Sequence, residues 1–407
     1  MTRQPALTLD DIRTARERIR GAIYHSPCPP SVPLSDLTGV TVFCKLDLLQ
    51  RTGSFKERGA RNALMLLDAP ARSRGVVAAS AGNHALGLAW HGRLLGIPVT
   101  VVMPRFAPLV KVATCRRLGA TVILHGETFD EARAEAARIA ATEGRERIHG
   151  FDDLRVIAGQ GTMALEVLDD VPDAEAIVVP TGGAGLLAGV ATAAKAINPR
   201  IRIVAVEPAA APSLSASLAA GHPVAVPARP TLADGLAVGR VGDVAFPIAA
   251  PLVDQVVTVD EDALALAVLR LAELEKTVVE GAGAAPLAAL LAGACPDLRG
   301  RRTVLLICGG NIDLSILGRV IDHGLAADGR LWRFTTRVTD RPGGIARLAA
   351  VIAAVGASVL EITHDRTFAG PDVFSARVAV TVETADRGQI EALASALAAA
   401  GFPVTTG

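Results

Sequence analysis

Aromatic residues are scarce in this chain: they make up 3% of 407 residues, with one Tyr and two Trp, against 50% hydrophobic residues in all. An interior built from aliphatic side chains, alanine abundant among them, fits helices packed closely on sheets. The length allows two or three domains, each with its own core. Neither sign of charge is in excess, since 41 Lys and Arg balance 41 Asp and Glu. That balance provides no electrostatic footprint for nucleic acid and no polybasic patch for a membrane surface, and it favours small-molecule chemistry. Cysteine is limited to Cys28, Cys44, Cys115, Cys295 and Cys308, an odd set without metal-ligand or disulfide spacing, as expected in a reducing cytoplasm. Residues 1–20 carry charges throughout and hold no apolar core, so no secretory signal is expected there. An unbroken membrane-spanning run is lacking as well. Residues 176–194 are uncharged and long enough, but Pro180, Thr181 and the glycines after them divide the stretch into a strand, a loop and a helix.

What the chain does contain is alternation. Thr8-Leu9-Asp10-Asp11 can cap a first helix running through Ile12, Ala15 and Ile19 towards Ile23. A strand over 41–45 follows. Strands are then expected at 76–79, 99–102 and 121–124, with helices at 85–95, 109–118 and 127–142 between and after them. Turn residues near Gly159 and Gly161 return the chain to a second such series, with strands at 176–179, 201–206 and 303–307 and helices at 186–197, 260–276 and 286–294. Short apolar runs alternating with helices specify an α/β fold of parallel sheets covered on both faces, and ligands bind beyond the carboxyl ends of such strands. Three loops lie there: 80–84, 181–185 and 308–311. The pattern breaks around a linker at 323–331. Beyond it the order strand (332–339), helix (345–355), strand (358–364), strand (373–382), helix (387–400), strand (402–405) reads as a separate ferredoxin-like βαββαβ module.

Chemistry concentrates at the loops. Lys56 opens a helix whose apolar face is Ala60, Ala63, Leu64 and Leu67. The positive end of the helix dipole and partial burial beside Phe55 both disfavour an ammonium there. A neutral lysine amine is a nucleophile towards carbonyls, the start of Schiff-base chemistry; a solvated surface lysine is the plainer alternative. Thr181-Gly182-Gly183-Ala184-Gly185, between a strand and a helix, can surround a phosphate with backbone amides. The same glycines, with Glu207 at the end of the next strand, also fit a dinucleotide-binding pattern and hence an NAD-dependent oxidoreductase. Ser80-Ala81-Gly82-Asn83-His84 can clamp a carboxylate, with His84 alternatively a structural cap. Cys308-Gly309-Gly310-Asn311 allows close backbone approach after a strand, or holds no more than a buried thiol and a turn.

Taken together and in order, Ser54-Phe55-Lys56-Glu57-Arg58-Gly59-Ala60, Ser80-Ala81-Gly82-Asn83-His84-Ala85, Gly182-Gly183-Ala184-Gly185-Leu186, Ala233-Asp234-Gly235-Leu236-Ala237-Val238, Glu280-Gly281-Ala282-Gly283-Ala284 and Gly309-Gly310-Asn311-Ile312-Asp313 resemble the threonine and serine dehydratases. These belong to the tryptophan-synthase β-like class of pyridoxal-phosphate enzymes, and the resemblance spans roughly residues 10–322. The tail, with Asp340-Arg341-Pro342-Gly343 before its first helix, is similar to an ACT domain. The resemblance implies a two-lobed PLP fold type II unit over 1–322, its small lobe at about 50–148, then a linker at 323–331 and an ACT domain at 332–407. It implies pyridoxal 5'-phosphate as cofactor and threonine ammonia-lyase activity, L-threonine giving 2-oxobutanoate and ammonia, L-serine giving pyruvate, with 3-hydroxyaspartate a further candidate. Lys56 would carry the cofactor, with Phe55 beside its ring and Asn83 on the ring hydroxyl. Gly182, Gly183, Ala184 and Gly185 would cradle its phosphate, and Cys308 would face the ring nitrogen. Ser80 and the amides of Ala81, Gly82, Asn83 and His84 would hold the substrate carboxylate.

The chain departs from the family pattern at three positions. Ala184 replaces one glycine of four, and Cys308 stands where many relatives have serine. Ala81 occupies the position of a second serine in the related serine racemases, so dehydration is expected over racemisation. No metal is expected, because Glu207 is followed by Pro208, three alanines, Pro212 and Ser213, too few oxygen ligands for a hard cation. The loop at 340–344 would bind a free amino acid, isoleucine or valine by family resemblance, and signal through a contact between domains; a purely oligomerising module and a non-catalytic amino-acid sensor are the alternatives. The expected assembly is a homodimer or homotetramer.

Overall fold

Strands separated by helices pair in parallel, because each helix carries the chain back to the starting edge of the sheet. The computed structural model describes residues 7–366 and 374–406 and contains two sheets of this kind. The larger runs, in spatial order, Pro30–Ser31, Thr41–Lys45, Arg302–Leu306, Ala176–Pro180, Arg202–Pro208, Gln255–Val259, all parallel except the two-residue edge strand at Pro30. The smaller runs Thr121–Leu124, Val99–Met103, Val76–Ala79, Glu146–Arg147 and is parallel throughout. Both lie in a first compact unit ending at Asp313. Ile177, Val179, Ile203 and Leu306 on the large sheet are fully buried in one core with Met163, Leu187 and Ala191 from the covering helices. Each such Val, Ile or Leu contributes about 1.5–3 kcal/mol on burial.

Several expected boundaries move, each for a local reason. Thr8 does cap the first helix, in a reciprocal box with Asp11, but the helix is Leu9–Ile19, and Gly21 follows with φ 75°. The expected turn at Gly159 and Gly161 lies inside the helix Leu154–Asp170. These glycines serve contact between helices: a Cβ on Gly159 would stand 2.6 Å from the Arg58 carbonyl oxygen, and one on Gly161 2.8 Å from that of Gly189. The helix expected from Pro286 begins at Gly281 and runs Gly281–Leu291. A proline in the first two turns removes one hydrogen bond without ending the helix. The edge strand Gln255–Val259 is half exposed along much of its length, and its sequence lacks a fully apolar run. Among the described residues no helix is long and apolar enough to cross a membrane; residues 176–194 form the strand Ala176–Pro180, a turn and most of the helix Gly185–Ile197.

The second unit begins at Leu314. The linker expected at 323–331 is largely structured: Leu314–Ala327 is a helix, with Val320 and Gly324 buried, and the next strand starts at Leu331. Leu317, Val320 and Ile321 set a helical spacing that Leu325 continues into the expected linker. The βαββαβ order follows as Leu331–Thr339, Gly344–Ala354, Ser358–Asp365, Ser375–Glu383, Arg387–Ala399 and Thr405–Thr406. The four strands form one antiparallel sheet in the order second, third, first, fourth. Alternate residues Ala376, Val378, Val380 and Val382 face its core with Phe334 and Val338. The third strand begins at Ser375; Val373, where it was expected to begin, lies outside the described residues. The last strand shrinks to two residues because Phe402 plugs the core instead of pairing.

Candidate active site

Lys56 is held by a loop that two other elements fasten. Phe55 N–H donates to the Cys308 carbonyl (3.0 Å) and Gly310 N–H to the Gly53 carbonyl (3.0 Å), tying the lysine loop to the end of the strand Arg302–Leu306. Gly53, at φ 76°, has no room for a side chain: a Cβ would meet Asn311 Oδ1 at 2.4 Å. Next to the lysine, Glu57 accepts from the Thr52 amide and faces His91 Nε2 at 3.0 Å. Arg58, fully buried, donates to both oxygens of Asp47 (2.7 and 2.8 Å) and both of Glu166 (2.7 and 2.8 Å), pinning the helix Lys56–Met65 to Leu154–Asp170. The lysine therefore sits on a rigid base. Its Nζ donates to the Gly150 carbonyl (2.8 Å) and lies 5.0 Å from the centre of the Phe55 ring. Burial lowers its pKa to about 8, against the opposing pull of Cys308 and Glu280.

Opposite the lysine, the strand Val76–Ala79 leads into residues 80–84. Ser80 Oγ accepts from the amides of Gly82 and Ala85, both at 3.3 Å, which leaves its hydroxyl hydrogen for another acceptor. Asn83 donates from Nδ2 to Glu280 Oε1 (2.8 Å) and accepts at Oδ1 from Asn311 Nδ2 (2.9 Å). His84 donates from Nε2 to the Ile148 carbonyl (3.2 Å), and burial, then the nearby lysine, depress its pKa to about 3, so the ring is neutral.

The glycine turn joins the strand Ala176–Pro180 to the helix Gly185–Ile197, whose first-turn amides have no side-chain cap. Ala184, at φ 69°, adopts the left-handed conformation that glycine takes freely. Gly183 and Gly185 are glycines because Phe151 packs on them: a Cβ on either would stand 2.3 Å from the Phe151 ring or carbonyl oxygen. Cys308 is buried, and its thiol is held far above the ordinary range by burial first, then by Asp47 and Glu280, so it is a neutral weak donor. The residues expected to bind cofactor and substrate, Phe55 and Lys56, residues 80–84, residues 182–185 and Cys308, all border one cleft of about 880 Å3. An uncapped helix start of glycine amides, a partly neutral amine and a neutral thiol on one cleft suit a phosphorylated aromatic aldehyde such as pyridoxal phosphate.

Glu207 is not part of this cleft. Its carboxylate accepts from the amides of Leu214 (2.8 Å) and Ser215 (2.9 Å), capping the helix Ser213–Ala220, and this removes the acidic partner on which the dinucleotide pattern relied. Glu280 and Asn311 stand within two of the sequence motifs without a role implied there; their signal is a carboxylate and an amide in otherwise small-residue turns. The Gly150 carbonyl gave no signal, being backbone. His149, whose Nδ1 accepts from the Asp152 amide (3.0 Å), also borders the cleft, and as an isolated histidine outside any motif it carries no sequence signal.

The chain belongs to the pyridoxal-phosphate-dependent enzyme family, whose model matches residues 19–309, and it carries an ACT domain matched at residues 333–402. The L-threonine ammonia-lyase of Thermotoga maritima is 43% identical over 98% of this chain and 99% of its own length. Among solved structures, maize serine racemase aligns with a TM-score of 0.75 at 37% identity, covering 79% of this chain and 99% of the racemase. The processed form of threonine deaminase isoform 2 from Solanum lycopersicum aligns with a TM-score of 0.73 at 36% identity, covering 77% of this chain and 86% of the deaminase.

Proposed function

We propose that the protein is an L-threonine ammonia-lyase that converts L-threonine to 2-oxobutanoate and ammonia, and L-serine to pyruvate. The observation that carries this reading is an amine with its pKa drawn down to about 8 on the same cleft as an uncapped glycine turn. Pyridoxal phosphate, when bound, supplies an electron sink for the charge left on Cα as its proton departs. In this reading the amides of Gly182, Gly183, Ala184 and Gly185 would hold the phosphate, with Phe55 beside the ring and Asn83 as donor to the ring hydroxyl. The Cys308 thiol, a weak donor, would face the ring nitrogen. Ser80, with its free hydroxyl hydrogen, and the amides of residues 81–84 hold the substrate carboxylate. Lys56 Nζ takes the Cα proton. Ala81 puts a methyl group where a second proton carrier would be needed, which supports elimination over racemisation. One methyl group in an apolar pocket discriminates by only about 1–3 kcal/mol, so both threonine and serine should react.

The second unit is proposed to bind a free amino acid, isoleucine or valine, at residues 340–344, and the chain to act as a cytoplasmic homo-oligomer. Titrating the purified enzyme with both effectors tests this: rate and melting temperature that move for neither remove the regulatory role. For the activity itself, the visible spectrum with and without borohydride is the first measurement. Reduction should fix the cofactor onto the peptide containing Lys56, and Lys56→Ala should lose 2-oxobutanoate formation from threonine. Colourless protein that ignores added pyridoxal phosphate would end the proposal, as would undiminished deamination by that variant.

A further inference from the structure

A side-chain amide has donors at one end and an acceptor at the other, so reversing it changes what it offers a ligand. Two neighbours choose the orientation of Asn83. Glu280 Oε1 lies 2.8 Å from Asn83 Nδ2, and Asn311 Nδ2 lies 2.9 Å from Asn83 Oδ1. Asn311 is itself oriented, because its Nδ2 also donates to the Thr52 carbonyl oxygen at 2.7 Å. Reversing Asn83 would set its carbonyl oxygen against the Glu280 carboxylate and its amino group against that of Asn311, exchanging two hydrogen bonds for two repulsive contacts. In the observed orientation the acceptor and one donor hydrogen are used, and the second Nδ2 hydrogen remains at the cleft wall.

Glu280 is built into this place. Its own N–H donates to the Gly309 carbonyl at 3.1 Å, its carboxylate accepts from the Asn311 backbone N–H, and a Cβ on Gly309 would stand 2.1 Å from its Oε1. The glycine after Cys308 is thus what lets the carboxylate reach Asn83. We infer that Glu280 is a positioning residue, which holds Asn83 so that an N–H and not a carbonyl oxygen faces the ring hydroxyl of the cofactor. This rests on the function proposed above.

The charged and titratable groups around Glu280 are Asp234 and Lys111, themselves an ion pair at 3.3 Å, together with Lys56 and Cys308. Burial first, then Asp234, raise its carboxyl to about 7. The ionised form is the stronger acceptor, so the hold on Asn83 strengthens as pH rises through neutrality and weakens below it.

The test measures cofactor uptake as well as turnover. Apoprotein is titrated with pyridoxal phosphate for wild type, Glu280→Ala, Asn83→Ala and the double variant, and the absorption band of each loaded protein is followed from pH 5.5 to 9. If Glu280 acts through Asn83, each single change weakens uptake at least fivefold and the double variant is no worse than Asn83→Ala alone. Glu280→Gln, which keeps an acceptor and cannot ionise, should bind the cofactor and lose a spectral midpoint near pH 7 that wild type shows; it carries the test if Glu280→Ala fails to fold. Losses that multiply in the double variant, or a Glu280→Gln spectrum that titrates like wild type, overturn the inference. Wild-type apoprotein that takes up no cofactor at Lys56 would instead defeat the proposed function.

Discussion

The lowered pKa of Lys56 makes a quantitative prediction for the apoprotein. An exposed lysine with its ordinary pKa of 10.5 is neutral in about one molecule in 3,000 at pH 7; at a pKa of about 8 the neutral fraction is about one in eleven. Burial therefore raises the amount of reactive amine about 300-fold at pH 7. The perturbation is pH, and the assay traps pyridoxal phosphate on the apoprotein with borohydride and counts label on the peptide containing Lys56, with Lys56→Ala as the blank for other lysines. The initial trapping rate should climb about ninefold from pH 6 to 7, about fivefold from pH 7 to 8 and no more than about twofold beyond it. Continued tenfold steps between pH 8 and 10 would mean an ordinary lysine and refute the reasoning. The same shift has a stability sign. The folded apoprotein releases this proton near pH 8 and the unfolded chain near 10.5, so between these values the unfolded state binds more protons and stability rises with pH. Lys56 is only half-buried at the cleft wall, so about 3 kcal/mol is the upper limit of that gain.

Three further outcomes follow from packing. Ala184→Gly should relieve a left-handed alanine that costs about 1–2 kcal/mol, less about 0.4–1 kcal/mol of added unfolded-chain entropy, giving a net change between about 0 and a gain of about 1.6 kcal/mol in denaturant unfolding. A clear loss of stability would mean that Ala184 is not strained. Gly183→Ala should weaken cofactor uptake at least tenfold, because the new Cβ would stand 2.3 Å from the Phe151 ring; Phe151→Ala in the same chain should recover part of it, and uptake unchanged by the single substitution would refute the cradle. Arg58→Met should lower stability by about 3–5 kcal/mol, read by chemical denaturation, since it leaves Asp47 without its buried counter-charge and Glu166 with Lys45 Nζ (2.9 Å) alone; a variant as stable as wild type would show that Arg58 is not needed.

Much of this site is legible in one dimension because the chemistry requires particular residue types where strands end. The glycines between the strand Ala176–Pro180 and its helix and Ser80 to His84 after Val76–Ala79 stand at carboxyl ends of parallel strands, which such sheets bring to one side, and Lys56 stands in an opening helical turn whose loop bonds to the end of a third strand. Period and turn chemistry are local properties, so the alternation of strands and helices and the βαββαβ order of the tail can be read without coordinates.

Contacts between distant segments are a different matter. Gly159 and Gly161 look like turn residues and are helical, because their function is to let backbones meet at Arg58 and Gly189, more than twenty residues away along the chain. Residues 323–327 look like open chain and continue a helix. Glu207 suits a dinucleotide pattern by spacing, yet its carboxylate is committed to two helix amides. Glu280 stands in a visible motif, but only folding brings it against Asn83, with Gly309 giving it room. Residue types and their local periods thus determined which groups the chain offers and the order of its elements. Which of those groups touch, which way an amide points and how far burial moves an amine's proton affinity depend on surfaces that meet across long stretches of sequence, and the tertiary structure alone decided them.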